Sequence, residues 1–143
     1  GEASLVARRI GTVRFGLYAP AGSGLAAATL QPDGRLAVPW VGWGHALEHL
    51  PTARSSIGLL HAADKRAGAN AMAQQIVLAR ALDAAMVLPV YLARRQPDFL
   101  RIAAAAFPLL ELPVWLVVNP ETHTSPAAGV VAAWIETCLA ELR

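Results

Sequence analysis

The chain has 143 residues, of which 55% are apolar and only 15% are charged. This composition excludes intrinsic disorder, because a chain this apolar can bury enough surface to offset the entropy lost on ordering, and the length suits one domain. The formal net charge is +2 and no basic run is longer than a pair of arginines, which argues against a chain that binds nucleic acid by itself.

The compartment can be inferred from the single cysteine and from the absence of a long apolar segment. Cys138 cannot form a disulfide within the chain, so a reducing compartment such as the cytoplasm is the simpler expectation. The longest uncharged stretch, residues 15–32, contains two prolines and three glycines. Because a membrane-spanning helix needs about 20 predominantly apolar residues, we expect no membrane segment.

The first half of the chain reads mainly as strands separated by turns. The expected strands are residues 12–18, residues 36–43 with Pro39 at an edge or a bulge, and residues 56–61. A short helical patch covers residues 26–30. Residues 44–50 are expected to form at most about two helical turns, because Pro51 disfavours helical geometry in the residue before it.

The second half of the chain begins with a polar loop at residues 64–66 and contains the two clearest helices. A helix is expected over residues 70–81, with Asn70 as its N-cap and Met72, Ala73, Ile76 and Ala79 on one face. Further strands are expected at residues 86–92, 99–105 and 113–118, the last covered on both faces. The final helix, residues 125–142, has an apolar face that should pack on a core. Strands that alternate with helices predict an α/β domain with a mixed sheet.

Two motifs suggest chemistry. His45, Glu48 and His49 form H-x-x-E-H, the inverted zinc-protease signature, in which two histidines bind the metal and the glutamate activates water. That site needs a long helix, whereas this motif lies between Gly44 and Pro51, so two solvated histidines on a surface helix are the alternative interpretation. A small zinc hydrolase therefore remains a rival hypothesis, and no metal site is assigned.

The second motif lies in a glycine-containing loop. Gly22, Gly24 and Ala27 form G-x-G-x-x-A after a strand, an incomplete version of the dinucleotide-binding fingerprint. No acidic residue follows at the expected distance of about 20 residues on a suitable strand. We therefore expect a flexible loop and no cofactor.

Three stretches, in the same order along the chain, resemble the effector-binding domain of LysR-type transcriptional regulators. They are LVARRIGTVRFGLYA at residues 5–19, ALDAAMVLPVYLA at residues 81–93 and LPVWLVVNPETHTSPA at residues 112–127. Leu82 and Ala84 depart from the family, which usually has glycines there. The resemblance implies a periplasmic-binding-protein-like (type 2) half, with a mixed sheet flanked by helices.

The resemblance also implies a domain organisation. Residues 5–120 correspond to the second regulatory subdomain, and residues 125–142 correspond to the C-terminal helix. The DNA-binding winged helix-turn-helix and most of the first subdomain have no counterpart in the sequence, so the chain is expected to be one partial effector-binding domain.

The implied function is ligand sensing, without catalysis. In this family a small molecule, often an organic acid or an aromatic metabolite, binds between the subdomains and contacts the loop before a helix. Here that loop contains Gly68, Ala69 and Asn70, and the amides of a helix N-terminus favour an anion. The alternative for Asn70 is a helix cap. We expect DNA contact only through a separate N-terminal domain, and a homodimer or higher oligomer. A stand-alone small-molecule-binding module remains a further alternative.

Overall fold

A computed structural model describes residues 5–142 of the protein, apart from the side chain of His123. The chain divides into two compact units. The central unit is Arg14–Leu110, and the terminal unit joins the residues up to Val13 with those from Glu111 onwards.

Strands and helices alternate along the chain. The strands are β1 (Val6–Pro20), β2 (Trp40–Gly42), β3 (Lys65–Gly68), β4 (Met86–Pro89), β5 (Phe99–Arg101) and β6 (Leu110–Val118). The α-helices are α1 (Pro51–Leu59), α2 (Met72–Leu82), α3 (Val90–Ala93), α4 (Pro120–His123) and α5 (Pro126–Glu141). The predicted α/β class is confirmed.

The central unit contains antiparallel and parallel strand pairs. The second half of β1 pairs antiparallel with β4, where Tyr18 faces Met86, and with β5, where Tyr18 faces Arg101. A separate two-stranded sheet pairs β2 with β3 in parallel, and its register shifts between Trp40 and Val41. This irregularity directly follows Pro39, whose missing amide cannot join a strand ladder.

The core of the central unit forms where α2 packs against the antiparallel strands. Ile76 and Ala79 from α2 lie in one buried cluster with apolar side chains from the strands. The strand residues of that cluster are Tyr18, Met86, Leu88 and Phe99. At the C-terminal end of α2, Arg80 Nε donates to Asp98 Oδ2 at 2.7 Å, and this hydrogen bond holds the pKa of Asp98 below its ordinary value.

Residues 56–61 were predicted as a strand, but residues 56–59 belong to helix α1 and only Leu60 forms an isolated β-bridge, with Leu36, so that prediction is wrong. Proline suits the first turn of a helix because the amide that it lacks has no partner there, and Pro51 therefore begins α1. The buried face of this helix carries Thr52, Ala53 and Ser56, which sequence reasoning passed over because two of them are polar. Ser56 Oγ donates to the Thr52 carbonyl at 3.3 Å, which lets the hydroxyl be buried.

Residues 64–66, predicted as a polar loop, lead instead into strand β3. Lys65 begins this strand, and its ammonium group donates to the Trp43 carbonyl at 2.7 Å. The long apolar stem of lysine allows a partly buried strand position while its charged end reaches a polar partner. The sequence did not predict this strand, because its first two residues, Lys65 and Arg66, are charged and strands are recognised by runs of apolar residues.

The terminal unit is built from β1, β6, α4 and α5. Side chains along β6 alternate between half-buried and exposed, so the expected burial on both faces is wrong. Helix α5 has the predicted bounds within one or two residues, but it buries only Ala132 fully among its described residues. Trp134 and Val130 are 66% and 71% exposed, so much of the apolar surface of α5 lies in solvent.

Candidate functional site

The candidate site lies at the carboxyl ends of the parallel strands β2 and β3. Val41 pairs with Ala67 and Gly42 pairs with Gly68, so both strands end at the same edge. The chain then continues directly from β3 through residues 69–71 into α2. In α/β structures, ligands bind in the crevice outside the carboxyl ends of parallel strands.

Glycines allow the backbones to approach closely at this edge. A Cβ atom on Gly68 would lie 2.9 Å from the Trp43 carbonyl oxygen and 3.2 Å from Gly44 Cα. A Cβ atom on Gly44 would collide with the side-chain oxygen of Asn70. The segment that follows β2 and the segment that ends β3 are therefore in direct contact. A side chain at Gly68 would meet backbone, whereas one at Gly44 would meet the end of the Asn70 side chain, which can move aside.

The N-terminus of α2 carries amides that no side chain caps. The helix begins at Met72 with Ala71 as its N-cap, and no side chain accepts a hydrogen bond there. The expectation that Asn70 is the N-cap is therefore wrong, because the helix starts one residue later than that role requires. The first amides of a helix lack partners within it, and alanine is a poor cap, so this end of α2 attracts an anion.

Gln75 holds the loop in place. Its side chain is only 2% exposed, and Nε2 donates to the Ala69 carbonyl at 3.0 Å. The Ala69 amide in turn donates to the Gly42 carbonyl at 3.1 Å. Sequence reasoning missed Gln75, although a glutamine among the apolar residues of a predicted helix face was the available signal.

Gly68, Ala69 and Asn70 are consecutive residues that lie at the end of β3 and in the loop before α2. Gly68 and Asn70 are exposed, and Ala69 is half-buried. An open depression of about 600 Å³ lies beside them, lined by Gly68, Ala69 and the outer face of the first turns of α2. This volume lies within the range of small-molecule sites, but its open shape would cover only one side of a ligand. Their role in ligand binding stays a prediction.

The H-x-x-E-H residues lie in a different geometry from a zinc site. His45 belongs to a 3-10 helix of three residues, and His49 lies beyond it in a turn. Glu48 is shared between His45, whose Nδ1 is 3.2 Å from Oε2, and Lys65, whose Nζ is 3.7 Å from Oε1. Among residues 5–142, with the His123 side chain left aside, no group of three or more His, Cys, Asp or Glu side chains could hold a metal ion.

The G-x-G-x-x-A loop also lacks the element that its chemistry would need. Residues 21–23 and 25–27 form two 3-10 helices separated by Gly24, which has a φ of 73°. Dinucleotide phosphates bind at the N-terminus of a long α-helix, whereas each of these helices is a single turn. In the part of the chain that is described, no helix is long and apolar enough to cross a membrane.

No family model matches the sequence, and no curated protein is similar to it. Solved structures are similar in fold, and they include LysR-family regulators and their regulatory domains. A protein from Vibrio parahaemolyticus, described as a transcriptional regulator, shares 14% identity at a TM-score of 0.69, with 96% of this chain and 66% of that chain covered. The regulatory domain of CrgA from Neisseria meningitidis shares 15% identity at a TM-score of 0.66, with 100% and 72% covered.

The LysR-family regulator CbnR gives a similar result over its longer chain. It shares 16% identity at a TM-score of 0.63, with 92% of this chain and 47% of that chain covered. This chain therefore spans about two thirds of the Vibrio protein and about half of CbnR. These matches confirm the resemblance in the sequence at the level of the fold: the chain has the periplasmic-binding-protein-like fold of LysR-family regulatory domains.

Proposed function

We propose that this chain is a ligand-sensing part of the regulatory domain of a LysR-type transcriptional regulator. The observation that carries the proposal is the fold, because the similarity to LysR regulatory domains covers nearly the whole chain. The domain assignment made from the sequence is part of the proposal, with residues 5–120 as the second regulatory subdomain and residues 125–142 as the C-terminal helix. The sensor acts by binding a small molecule and has no catalytic role.

The ligand of the proposed sensor is a small organic anion at the loop of Gly68, Ala69 and Asn70. Two features of the loop support this chemistry. The uncapped amides of α2 point their partial positive charge toward the loop, and the parallel strands β2 and β3 end beside it. Gln75 keeps the loop in one conformation before a ligand binds, which lowers the entropic cost of binding.

DNA contact in this proposal belongs to a separate winged-helix domain of the parent protein. CbnR, one of the similar structures, has been solved in complex with its target DNA. The present chain has a formal net charge of only +2, which is too small for a strong phosphate-binding surface. A regulator that acts on bacterial DNA works in the cytoplasm.

A single substitution in the loop tests the anion site. We expect Ala69→Asp to abolish binding of small organic acids, because its carboxylate would lie at the helix N-terminus and compete with the ligand for the same amides. The measurement is a titration with a panel of small mono- and dicarboxylates, followed through the amide resonances of residues 69–74. A bound acid should shift those resonances in the parent chain and leave them unchanged in the variant.

The matched control is Ala103→Asp, which adds the same charge at an exposed turn outside the loop. This variant should keep the affinity of the parent chain. If no acid shifts the loop resonances, or if both variants bind equally well, the anion site is wrong even though the fold assignment stands.

We expect the exposed apolar face of α5 to pack against a second copy of the chain. Val130, Val131 and Trp134 are 71%, 52% and 66% exposed and follow one stripe of the helix without a charged residue among them. LysR regulators form oligomers, which supports a second copy as the partner. Light scattering should therefore show a dimer or a larger species, and Trp134→Glu should shift it toward the monomer.

The control for this prediction is Ala133→Glu, an exposed position on the same helix that is turned about 100° from Trp134. It should leave the assembly unchanged. A parent chain that stays monomeric at high concentration contradicts the prediction.

A further inference from the structure

The central unit contains a second cavity, which shares no lining residue with the depression beside Gly68. It has a volume of about 240 Å³ and lies where α1 meets the parallel pair of β2 and β3. Trp40 and Trp43 contribute aromatic walls, and Ala53 and Ile57 from α1 contribute aliphatic ones. The cavity is therefore mainly apolar, which is typical of sites for small organic ligands.

Hydrogen bonds hold both tryptophans in place. Trp40 Nε1 donates to the His61 carbonyl at 2.8 Å, and Trp43 Nε1 donates to Thr52 Oγ1 at 2.8 Å. Each indole thus has its polar edge satisfied within the protein. Trp40 is only 3% exposed and Trp43 is half-buried, so the ring surface available to a ligand is mainly that of Trp43. The walls are formed before any ligand arrives, so little side-chain entropy is lost on binding.

The polar groups of the cavity leave one cation without a partner. The Lys65 ammonium group donates to the Trp43 carbonyl at 2.7 Å and lies 3.7 Å from Glu48. Arg35 also lines the cavity, and among the described residues its guanidinium group has no hydrogen bond or ion pair. The three charged side chains together give the cavity a formal charge of +1, carried by Arg35.

We propose that this cavity binds a small aromatic carboxylate, with its ring against Trp43 and its carboxylate on Arg35. A cavity of about 150 Å³ holds benzene, so one of 240 Å³ admits a single ring with a short acidic substituent and excludes a nucleotide. Guanidinium is the group best matched to a carboxylate, because it can donate two parallel hydrogen bonds. The site is independent of the one proposed beside Gly68.

Phenylacetate is a suitable probe, with phenylacetamide as its uncharged analogue and acetate as its counterpart without a ring. We expect phenylacetate to shift the indole N–H resonances of Trp40 and Trp43, whereas the other two compounds shift them weakly or not at all at the same concentration. The resonances of Trp115 and Trp134, in the terminal unit, serve as internal references.

Two variants test the assigned contacts. Arg35→Gln should weaken phenylacetate binding at least about tenfold, because a hydrogen-bonded charge pair is lost. Ala62→Phe, at an exposed position that lines the cavity, should fill the space for the ring and remove the indole shifts. Arg54→Gln changes an exposed arginine of α1 that does not line the cavity, and it should bind like the parent chain.

Several outcomes would overturn the proposal. Equal shifts with acetate would mean that the ring does not bind, and equal shifts with phenylacetamide would mean that Arg35 does not hold a carboxylate. Unchanged affinity in Arg35→Gln, in a variant whose remaining spectrum matches the parent, would also refute it. Ala69→Asp should leave the indole shifts intact; their loss in that variant would place phenylacetate at the loop instead.

Discussion

Replacing Ile76 by alanine is expected to lower the free energy of unfolding by about 2–5 kcal/mol, the largest loss that we expect from any single change discussed above. Ile76 is 6% exposed and lies on the face of α2 that packs into the buried cluster with Tyr18, Met86 and Leu88. Removing most of its side chain loses apolar burial and leaves a cavity that the neighbouring strands can close only in part. Urea denaturation followed by circular dichroism measures the change.

The adjacent residue provides the control. Val77 lies on the same helix but is 63% exposed, so Val77→Ala should change the free energy of unfolding by no more than about 0.5 kcal/mol. One residue on a helix corresponds to a rotation of about 100°, so the contrast between these variants tests which face of α2 is buried. Equal losses in both variants would contradict the orientation of the helix that carries the candidate site.

The second large effect is expected from Gly68→Ala. The added Cβ atom would lie 2.9 Å from the Trp43 carbonyl oxygen and close to Gly44, so the two backbone segments must move apart. We expect a loss of about 1–3 kcal/mol in the free energy of unfolding, as for overpacking elsewhere in proteins. The loop resonances of residues 69–71 should also shift, because the hydrogen bond from the Ala69 amide to the Gly42 carbonyl is strained.

Gly58→Ala is the matched control, because it makes the same substitution where there is space. Gly58 lies in α1, and nothing lies within 4 Å of the position that its Cβ would take. Alanine in a helix is more stable than glycine by roughly 0.5–1 kcal/mol, so this variant should be stabilised. If Gly68→Ala is stabilised as well, the close approach at the strand ends is wrong.

The two candidate ligand sites in the central unit differ in the groups that would bind a ligand, so they can be tested separately. The loop of Gly68, Ala69 and Asn70 offers backbone amides and an open surface, whereas the cavity below α1 offers indole rings and the Arg35 guanidinium. An acid that binds the loop should be sensitive to Ala69→Asp, and one that binds the cavity should be sensitive to Arg35→Gln. The two variants together therefore identify which of the two sites a given acid uses.

The candidate loop could be located from the sequence, but its chemistry could not be worked out in detail. The resemblance to LysR regulators implied a role for Gly68, Ala69 and Asn70, which are consecutive residues just before α2. Asn70 was expected to cap α2, and the cap is Ala71 instead. Capping depends on backbone geometry at a single residue, which a sequence pattern locates only to within a few positions.

The sequence did not identify residues whose role depends on partners far away along the chain. The sequence does not show that Gln75 positions the loop, because that role depends on the hydrogen bond from its side-chain amide to the Ala69 carbonyl. Arg35 and Trp43 are 8 residues apart in sequence and share the cavity with Lys65, a further 22 residues along the chain. No local pattern relates these positions, because the contact between them is made only when β2, α1 and β3 have assembled.

The sequence by itself determined the elements whose signal is local. The alternation in β1 and the helical spacing in α2 and α5 were each sufficient, because periods of 2.0 and 3.6 residues are properties of a single segment. Only the tertiary structure showed that residues 51–59 form α1 and that residues 65–68 form β3. In α1, Thr52 and Ser56 are buried because they have hydrogen-bond partners. In β3, Lys65 can join the strand because the Trp43 carbonyl accepts a hydrogen bond from its ammonium group. The tertiary structure also decided which apolar faces are covered, since burial depends on partners elsewhere in the chain, and a sequence pattern shows only that a face is apolar.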